Sequence, residues 1–170
     1  MNFLLLIIIW GFFSIIYWTL KLGISPMPTS RAVQKALIRT LPSDYKGTIS
    51  DLGSGFGSML FFFSLRYPKA TIIGYEQSLF PYLISKIWLK RKNIEIKRVD
   101  FRKEKLKQGW LYIYLYSQGM RELNPELFKG SFLISNTFQL VIPYSQKIPV
   151  LDWYGSHLYV YDFYHPFESN

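Results

Sequence analysis

The sequence contains no cysteine and only two histidines, His157 and His165, both near its C-terminal end. The absence of thiols excludes a disulfide framework, a thiolate zinc site and a cysteine nucleophile. Two histidines are too few for a multi-histidine centre, so we expect no metal in the functional site. Of the 170 residues 49% are hydrophobic and 19% aromatic, which is enough apolar material for one packed domain.

Charged side chains are absent from residues 1–20, an apolar run long enough to cross a ~30 Å hydrocarbon core as a helix. A cleaved signal peptide would have a basic start, a shorter apolar stretch and a small-residue cleavage site, and the run has none of these. We therefore predict that residues 1–21 form a single transmembrane anchor; a buried core helix is the soluble alternative. Basic residues begin at Lys21, so the positive-inside rule predicts a single-pass membrane protein with its domain on the cytoplasmic side.

Acidic residues are the minority among the charges, with 11 Asp and Glu against 20 Lys and Arg, a formal net charge of +9. Ten of the basic residues lie between positions 86 and 107. Such a cluster can bind anionic lipid or nucleic acid, or can be an ordinary solvated face. The neighbouring apolar segment favours lipid, and we expect no nucleic-acid partner.

After the anchor, residues 22–46 are predicted to be a linker and one helix, and residues 47–170 alternate between strand and helix patterns. Tyr154-Gly155-Ser156 indicates a closing hairpin. The pattern predicts an α/β, Rossmann-like sheet, mostly parallel, with a C-terminal antiparallel hairpin. A helix is expected over 117–128, although Pro125 disfavours its second half. Two crossovers, 100–109 and 141–147, are too short for full helices. The five strands before the hairpin are expected at 48–52, 71–75, 94–99, 110–116 and 131–140.

The strongest chemical motif follows the first strand, which ends in Asp51 and continues into glycines at 53, 55 and 57. Glycines let the backbone turn sharply and approach a ligand, and the helix beyond presents unpaired N–H groups. A dinucleotide fingerprint would need its third glycine at Ser58. Asp51 would also repel a pyrophosphate, whereas a carboxylate suits a cation. The turn therefore favours S-adenosylmethionine, which carries an ammonium and a sulfonium, and disfavours a nicotinamide-dependent oxidoreductase.

Acidic residues also follow the second and third strands. Because parallel strands end at one edge of the sheet, Glu76 can accept hydrogen bonds from both ribose hydroxyls of a nucleoside. Asp100 can accept from an adenine amino group, and the Phe101 ring can pack on the base. The alternative for Asp100 and Phe101 is an ordinary surface and core position. Glu76 indicates a nucleoside without specifying which one.

These motifs resemble class I S-adenosylmethionine-dependent methyltransferases, with DLGSGFG at 51–57 similar to their first motif and GYEQS at 74–78 to their acidic second-strand motif. More narrowly, the chain resembles the small membrane-anchored lysine methyltransferases of the ATP synthase c subunit and the adenine nucleotide translocase, and their prokaryotic relatives. The shared features are the apolar N-terminal segment, the Pro26-Met27-Pro28-Thr29 stretch, and a fourth strand without a catalytic dipeptide.

The resemblance implies a role for each matching position. Glu76 would hold the ribose and Asp100 the adenine end, with Phe101 beside it. Pro28 and Thr29 would close over the cofactor. The methionine part would be surrounded by Asp51, Gly53, Ser54, Gly55 and Gly57.

The fourth strand bears on the acceptor. Tyr114-Leu115-Tyr116 stands where amino-methylating nucleic-acid enzymes carry Asn/Asp-Pro-Pro-aromatic, which argues against adenine or glutamine as acceptor. The resemblance implies a lysine of a membrane protein instead, and Tyr116 is the candidate catalytic residue because an aromatic channel favours a cation and excludes water. Tyr112 and Tyr114 fit ordinary sheet packing better. A lipid or small-metabolite acceptor, and a catalytically inactive nucleotide-binding module, are the alternatives.

Overall fold

The computed structural model describes residues 5–6, 9–13, 16–17, 29–153 and 155–165. The described residues before position 18 are helical. The predicted anchor at 1–21 lies largely outside the described residues, as does Pro28. Within the described ranges, no helix has both the length and the apolar character needed to cross a membrane.

The described residues form one seven-stranded sheet with the strand order β3-β2-β1-β4-β5-β7-β6. Strands β1 to β5 are parallel to one another, and β7 runs antiparallel between β5 and β6. This arrangement confirms the predicted mostly parallel sheet with a C-terminal antiparallel hairpin. The strands are β1 Thr48–Leu52, β2 Thr71–Tyr75, β3 Ile94–Lys97, β4 Trp110–Ile113, β5 Phe132–Asn136, β6 Gln146–Pro149 and β7 His157–Asp162.

Three helices pack on one face of the sheet: α1 Arg31–Thr40, α2 Ser58–Arg66 and α3 Leu79–Trp88. Helix α1 begins as its sequence predicts, because the Ser30 side chain caps it by accepting from the backbone N–H of Val33. The helices bury apolar side chains against the strands, in a core that includes Leu37, Leu60, Phe63, Ile49 and Ile72.

The other face of the sheet is covered by short segments. These are α4 Ser117–Arg121 and two 3₁₀ turns, Phe101–Lys103 and Pro125–Phe128. The predicted helix over 117–128 is therefore split. Pro125 cannot donate a backbone hydrogen bond, and a new turn starts there, with the side chain of Asn124 as its cap. The two short crossovers, 100–109 and 141–147, contain no α-helix, as their lengths predict. The buried side chains on this face include Phe101, Met120, Phe128, Leu133 and Tyr161.

Candidate cofactor site

The glycine-rich turn joins β1 to α2 at the carboxyl edge of the sheet. Gly53, Gly55 and Gly57 have backbone φ angles of 102°, 52° and 83°. Residues other than glycine rarely adopt such positive values. The N–H groups of Gly53 and Ser54 both donate to the carbonyl of Tyr75 at 2.9 Å, which fastens the turn to the end of β2. A Cβ atom on Gly53 would meet nothing within 4 Å, so the backbone there borders open space.

Glu76 follows β2 directly and is buried. Its Oε2 accepts from the backbone N–H of Gly55 at 2.8 Å, and its Oε1 accepts from that of Ser78 at 2.6 Å. The carboxylate is therefore held in one orientation between the glycine-rich turn and the start of α3. Two backbone donors leave further lone pairs on the same oxygens for a ligand.

Asp51 is buried on the same row of the sheet as Tyr112, its register partner on β4. Burial, followed by the charge of the nearby Glu76 carboxylate, raises the pKa of the Asp51 carboxyl to about 8. No described residue donates a hydrogen bond to the Asp51 carboxylate. A buried carboxylate without a donor is costly in its charged form, and a cationic ligand would offset that cost.

The hydroxyl of Tyr112 is hydrogen-bonded to residues outside its own strand. It accepts from Nδ2 of Asn136, at the end of β5, at 3.1 Å. Burial raises the pKa of Tyr112, and the charge of Asp51 adds to the effect, whereas hydrogen bonds with Thr29 and Asn136 lower it. Thr29, predicted to close over the cofactor, therefore lies beside this cluster. Ser50 and Ser54 lie close to Asp51 in the sequence. Their hydroxyls are buried and have no hydrogen-bond partner among the described residues.

A cavity of about 190 Å³ opens where β1, β2 and β3 end. Five of the residues predicted from the sequence line it: Gly53, Glu76, Asp100, Phe101 and Tyr116. The structure thus brings together the glycine-rich turn, both later acidic motifs and Tyr116, which follows β4 because that strand ends at Ile113 and not at the predicted residue 116. Gly55 borders this group through its hydrogen bond to Glu76.

Asp100, which was predicted to contact adenine, already has a partner that the sequence did not predict. Arg102 binds Asp100 with two groups, Nε to Oδ1 at 2.9 Å and Nη2 to Oδ2 at 2.8 Å. The Arg102 hydrogen bonds hold the pKa of Asp100 below its ordinary value. Asp100 is therefore a fixed carboxylate in the cavity wall, and any base that it binds shares it with a guanidinium.

Tyr116 is half-buried in the cavity wall, and its hydroxyl donates to Oε1 of Gln118 at 3.0 Å. Tyr114 stacks on Phe138, with ring centroids 6.3 Å apart, which agrees with its predicted packing role. Tyr112 also packs as predicted, with its buried ring 6.0 Å from that of Phe63 between centroids, while its hydroxyl accepts from Asn136.

The sequence matches no protein-family model and no curated protein. Among solved structures, a chain of the fibrillarin/Nop5p complex superposes with a TM-score of 0.57 at 14% identity, covering 78% of this chain and 82% of that one. Residues 961–1257 of StiE O-MT give a TM-score of 0.51 at 18% identity, covering 62% of this chain and 43% of that one. Coclaurine N-methyltransferase, solved with N-methylheliamine and SAH, gives 0.50 at 15% identity, covering 62% and 35%.

The chain spans less than half the length of the StiE O-MT and coclaurine N-methyltransferase chains that it matches. At these identities the likeness concerns the fold. The sheet order, the glycine-rich turn after β1 and the acid after β2 occur here in one arrangement. The chain therefore has the Rossmann-like α/β fold of the class I methyltransferases.

Proposed function

We propose that the protein is an S-adenosylmethionine-dependent methyltransferase. The observation that carries the proposal is the convergence of two buried carboxylates, Asp51 and Glu76, on a glycine-rich turn that borders open space. These residues fit the cofactor: a carboxylate without a donor suits its ammonium, and a carboxylate fixed by two backbone N–H groups suits its ribose. They do not fit the pyrophosphate of a dinucleotide, because the Glu76 carboxylate already accepts from the N–H group of Gly55 and would repel a phosphate beside the turn.

Within this proposal each residue has a binding role. Asp51 attracts the ammonium of the methionine part, with Tyr112 and Thr29 beside it. Glu76 accepts from the ribose hydroxyls, and Gly53 leaves room for the ligand against the backbone. Asp100 and Phe101 form the adenine end. Bound S-adenosylmethionine supplies an electrophilic methyl group on a positively charged sulfur.

The chain must then bind an acceptor as a neutral nucleophile and exclude water. A lysine has an ordinary pKa of about 10.4, so it must lose a proton before it can attack. Exclusion of water favours that neutral form, because burial in a dry channel makes the ammonium costly. Tyr116 remains our candidate for lining the acceptor channel.

We further propose that residues 1–20 tether the protein to a membrane and that the acceptor is a lysine of a membrane protein. The support is the uncharged apolar run, the basic residues after it, and the resemblance to membrane-anchored lysine methyltransferases. A tether raises the effective concentration of acceptors at the bilayer. A lipid or small-metabolite acceptor is the alternative, and a third possibility is a module that binds the cofactor without catalysis.

The cofactor assignment predicts a ligand preference. In isothermal titration calorimetry, the full-length protein in detergent is expected to bind S-adenosylmethionine and S-adenosylhomocysteine, and to show no heat with NAD. The reason is that an ammonium stabilises the ionised form of Asp51, whereas the Glu76 carboxylate on the glycine-rich turn repels a pyrophosphate. Binding of NAD in preference to S-adenosylhomocysteine would overturn the cofactor assignment.

The acceptor assignment predicts a missing modification. Mass spectrometry of membrane proteins from cells with and without the gene is expected to show a lysine methylation that disappears on deletion. Re-expression of the wild type should restore the modification, and the Glu76→Ala variant should not. Loss of a methyl group from a lipid or a soluble metabolite instead would contradict the lysine assignment and leave the methyltransferase assignment standing.

A further inference from the structure

An exposed apolar stripe runs along the neighbouring helices α2 and α3. On α3, Ile87 is 65% and Trp88 45% exposed, and on α2, Leu65 is 54% exposed. The rings of Phe61 and Trp88 lie 5.5 Å apart between centroids, so the two helices share one surface. A contiguous apolar patch of this kind marks an interaction site, unlike scattered single residues. We call it the α2–α3 apolar surface, and its members are Phe61, Leu65, Leu83, Ile84, Ile87 and Trp88.

Cations border this surface at the C-terminal end of α3. They are Lys86, Lys90, Arg91 and Lys92, and none of them forms a salt bridge with a described residue. The four line a hollow of about 480 Å³. Its lining also includes Glu95. The carboxylate oxygens of Glu95 lie 3.7 Å from Nζ of Lys97 and 4.0 Å from Nζ of Lys107, so these two lysines already balance its charge. An apolar strip edged by unpaired cations matches the chemistry of a bilayer interface with anionic headgroups.

The N-terminal apolar segment contacts the opposite end of the same helix. The Trp10 ring packs edge-on against Phe80, in the first turn of α3, with 5.6 Å between ring centroids. A Cβ atom on Gly11 would lie 2.7 Å from the Phe80 ring, so glycine permits this close approach. The middle of the apolar segment and the bordering cations thus lie at the two ends of α3, and the exposed apolar residues of α3 lie between them.

We propose that the α2–α3 apolar surface docks on an anionic lipid bilayer. Ile87 and Trp88 enter the headgroup region, and the bordering lysines bind lipid phosphates. The inference deepens the proposed function and builds on its membrane tether. Charge complementarity selects a lipid surface as the occupant, because a second copy of this chain would bring the same cations together.

Docking would place the cofactor site at the membrane surface. Phe56, in the glycine-rich turn, lies 6.3 Å from Phe80 between ring centroids. Its carbonyl also accepts from Nε1 of Trp88 at 2.9 Å. The turn that borders the cofactor cavity therefore rests directly on the docked residues. An acceptor lysine at the end of a transmembrane segment would then lie at the level of the site.

Because the chain has no cysteine, single cysteines can be labelled without a background. We would place an environment-sensitive fluorophore at Phe12→Cys, Ile87→Cys or Glu126→Cys in the full-length protein. Position 12 reports the tether, position 87 the α2–α3 apolar surface, and position 126 the opposite face of the sheet. Each is reconstituted in phosphatidylcholine vesicles with or without phosphatidylglycerol, and quenching by nitroxide-labelled lipid is measured.

The inference expects quenching at position 87 comparable with that at position 12 in anionic vesicles, and little at position 126. Quenching at 12 without quenching at 87 would overturn the docking surface and leave the tether standing. Quenching at 87 without quenching at 12 would support docking and contradict the tether. Quenching at neither position would overturn both. If the fluorophore at position 87 escapes the lipid quencher because the protein self-associates through that position, the surface belongs to a second copy of the chain. The result of the cofactor calorimetry does not depend on which of these outcomes is found, so a failure of the docking inference can be told apart from a failure of the cofactor assignment.

A charge test separates lipid docking from general stickiness. The triple variant Lys86→Gln, Lys90→Gln, Lys92→Gln is expected to lose most of the quenching at position 87 that anionic lipid adds. The matched control is Lys103→Gln, Lys105→Gln, Lys129→Gln, which makes the same charge change elsewhere and should retain that quenching. Salt should act like the first variant, since raising it from about 0.1 M to about 1 M shortens the screening length from about 10 Å to about 3 Å. Equal losses in the two triple variants would contradict a specific docking surface.

Discussion

Glu76→Ala is expected to weaken S-adenosylhomocysteine binding at least a hundredfold. Hydrogen bonds to a charged group contribute about 1.5–3 kcal/mol each, so losing two ribose contacts costs about 3 kcal/mol or more, which is roughly a hundredfold in Kd. The change also removes the acceptor that holds the N–H groups of Gly55 and Ser78. The glycine-rich turn and the start of α3 would then lose their shared anchor. Calorimetry on the full-length protein measures the effect.

Two further variants make the Glu76 result specific. Glu76→Gln keeps the size of the side chain and one acceptor oxygen but sets an NH2 group against one of the two backbone donors, so it should bind weakly and unfold below the wild-type temperature while still folding. Glu122→Gln changes an exposed acid that lines the same cavity, and it should bind like the wild type. Wild-type affinity in a folded Glu76→Ala protein would show that the ribose is not bound here.

Much of the fold could be predicted from the sequence because its signals are local. The first two strands and the parallel order follow from apolar runs separated by helix-length segments and by punctuating glycine and proline. Glu76 was predicted to lie beside the glycine-rich turn because the two follow neighbouring strands of a parallel sheet. That inference needs only the rule that such strands end at one edge, and the Gly55–Glu76 hydrogen bond confirms the proximity.

The parts that were not predicted depend on contacts between distant segments or on side-chain length. Asn136 reaches Tyr112 from the next strand, and a strand pattern alone gives no indication that a buried tyrosine ends in a polar cluster. Arg102 binds Asp100 because the 3₁₀ turn that follows Asp100 folds the chain back and brings the guanidinium within hydrogen-bond distance of the carboxylate. No turn was predicted there from the sequence. The membrane anchor at 1–21 stays a prediction, since most of it lies outside the described residues.

Asp51→Asn is expected to stabilise the ligand-free protein at alkaline pH and to remove its affinity for the cofactor. In the folded protein the Asp51 pKa is raised to about 8 from an ordinary 3.8, first by burial and then by Glu76. The folded chain therefore holds this proton more tightly than the unfolded chain does. Below pH 4 both states are protonated and the variant gains nothing. An asparagine has no proton to lose, so it escapes the cost of burying a charge.

The sign of the effect follows from that difference. As pH rises from about 4 to about 8, the wild type loses stability relative to Asp51→Asn, at no more than about 1.4 kcal/mol per pH unit and roughly 5 kcal/mol in all. Above pH 8 Asp51 is ionised in both the folded and the unfolded wild type, so the difference in unfolding free energy between the two proteins stops growing. Urea unfolding of both proteins at a series of pH values measures it. Saturating S-adenosylhomocysteine should stabilise the wild type and not Asp51→Asn, because its ammonium favours the ionised carboxylate, and the difference in unfolding free energy should therefore close. A gap that is constant with pH, or that shrinks as pH rises, would show that Asp51 is ionised in the ligand-free protein and that a cation is not needed to keep it so.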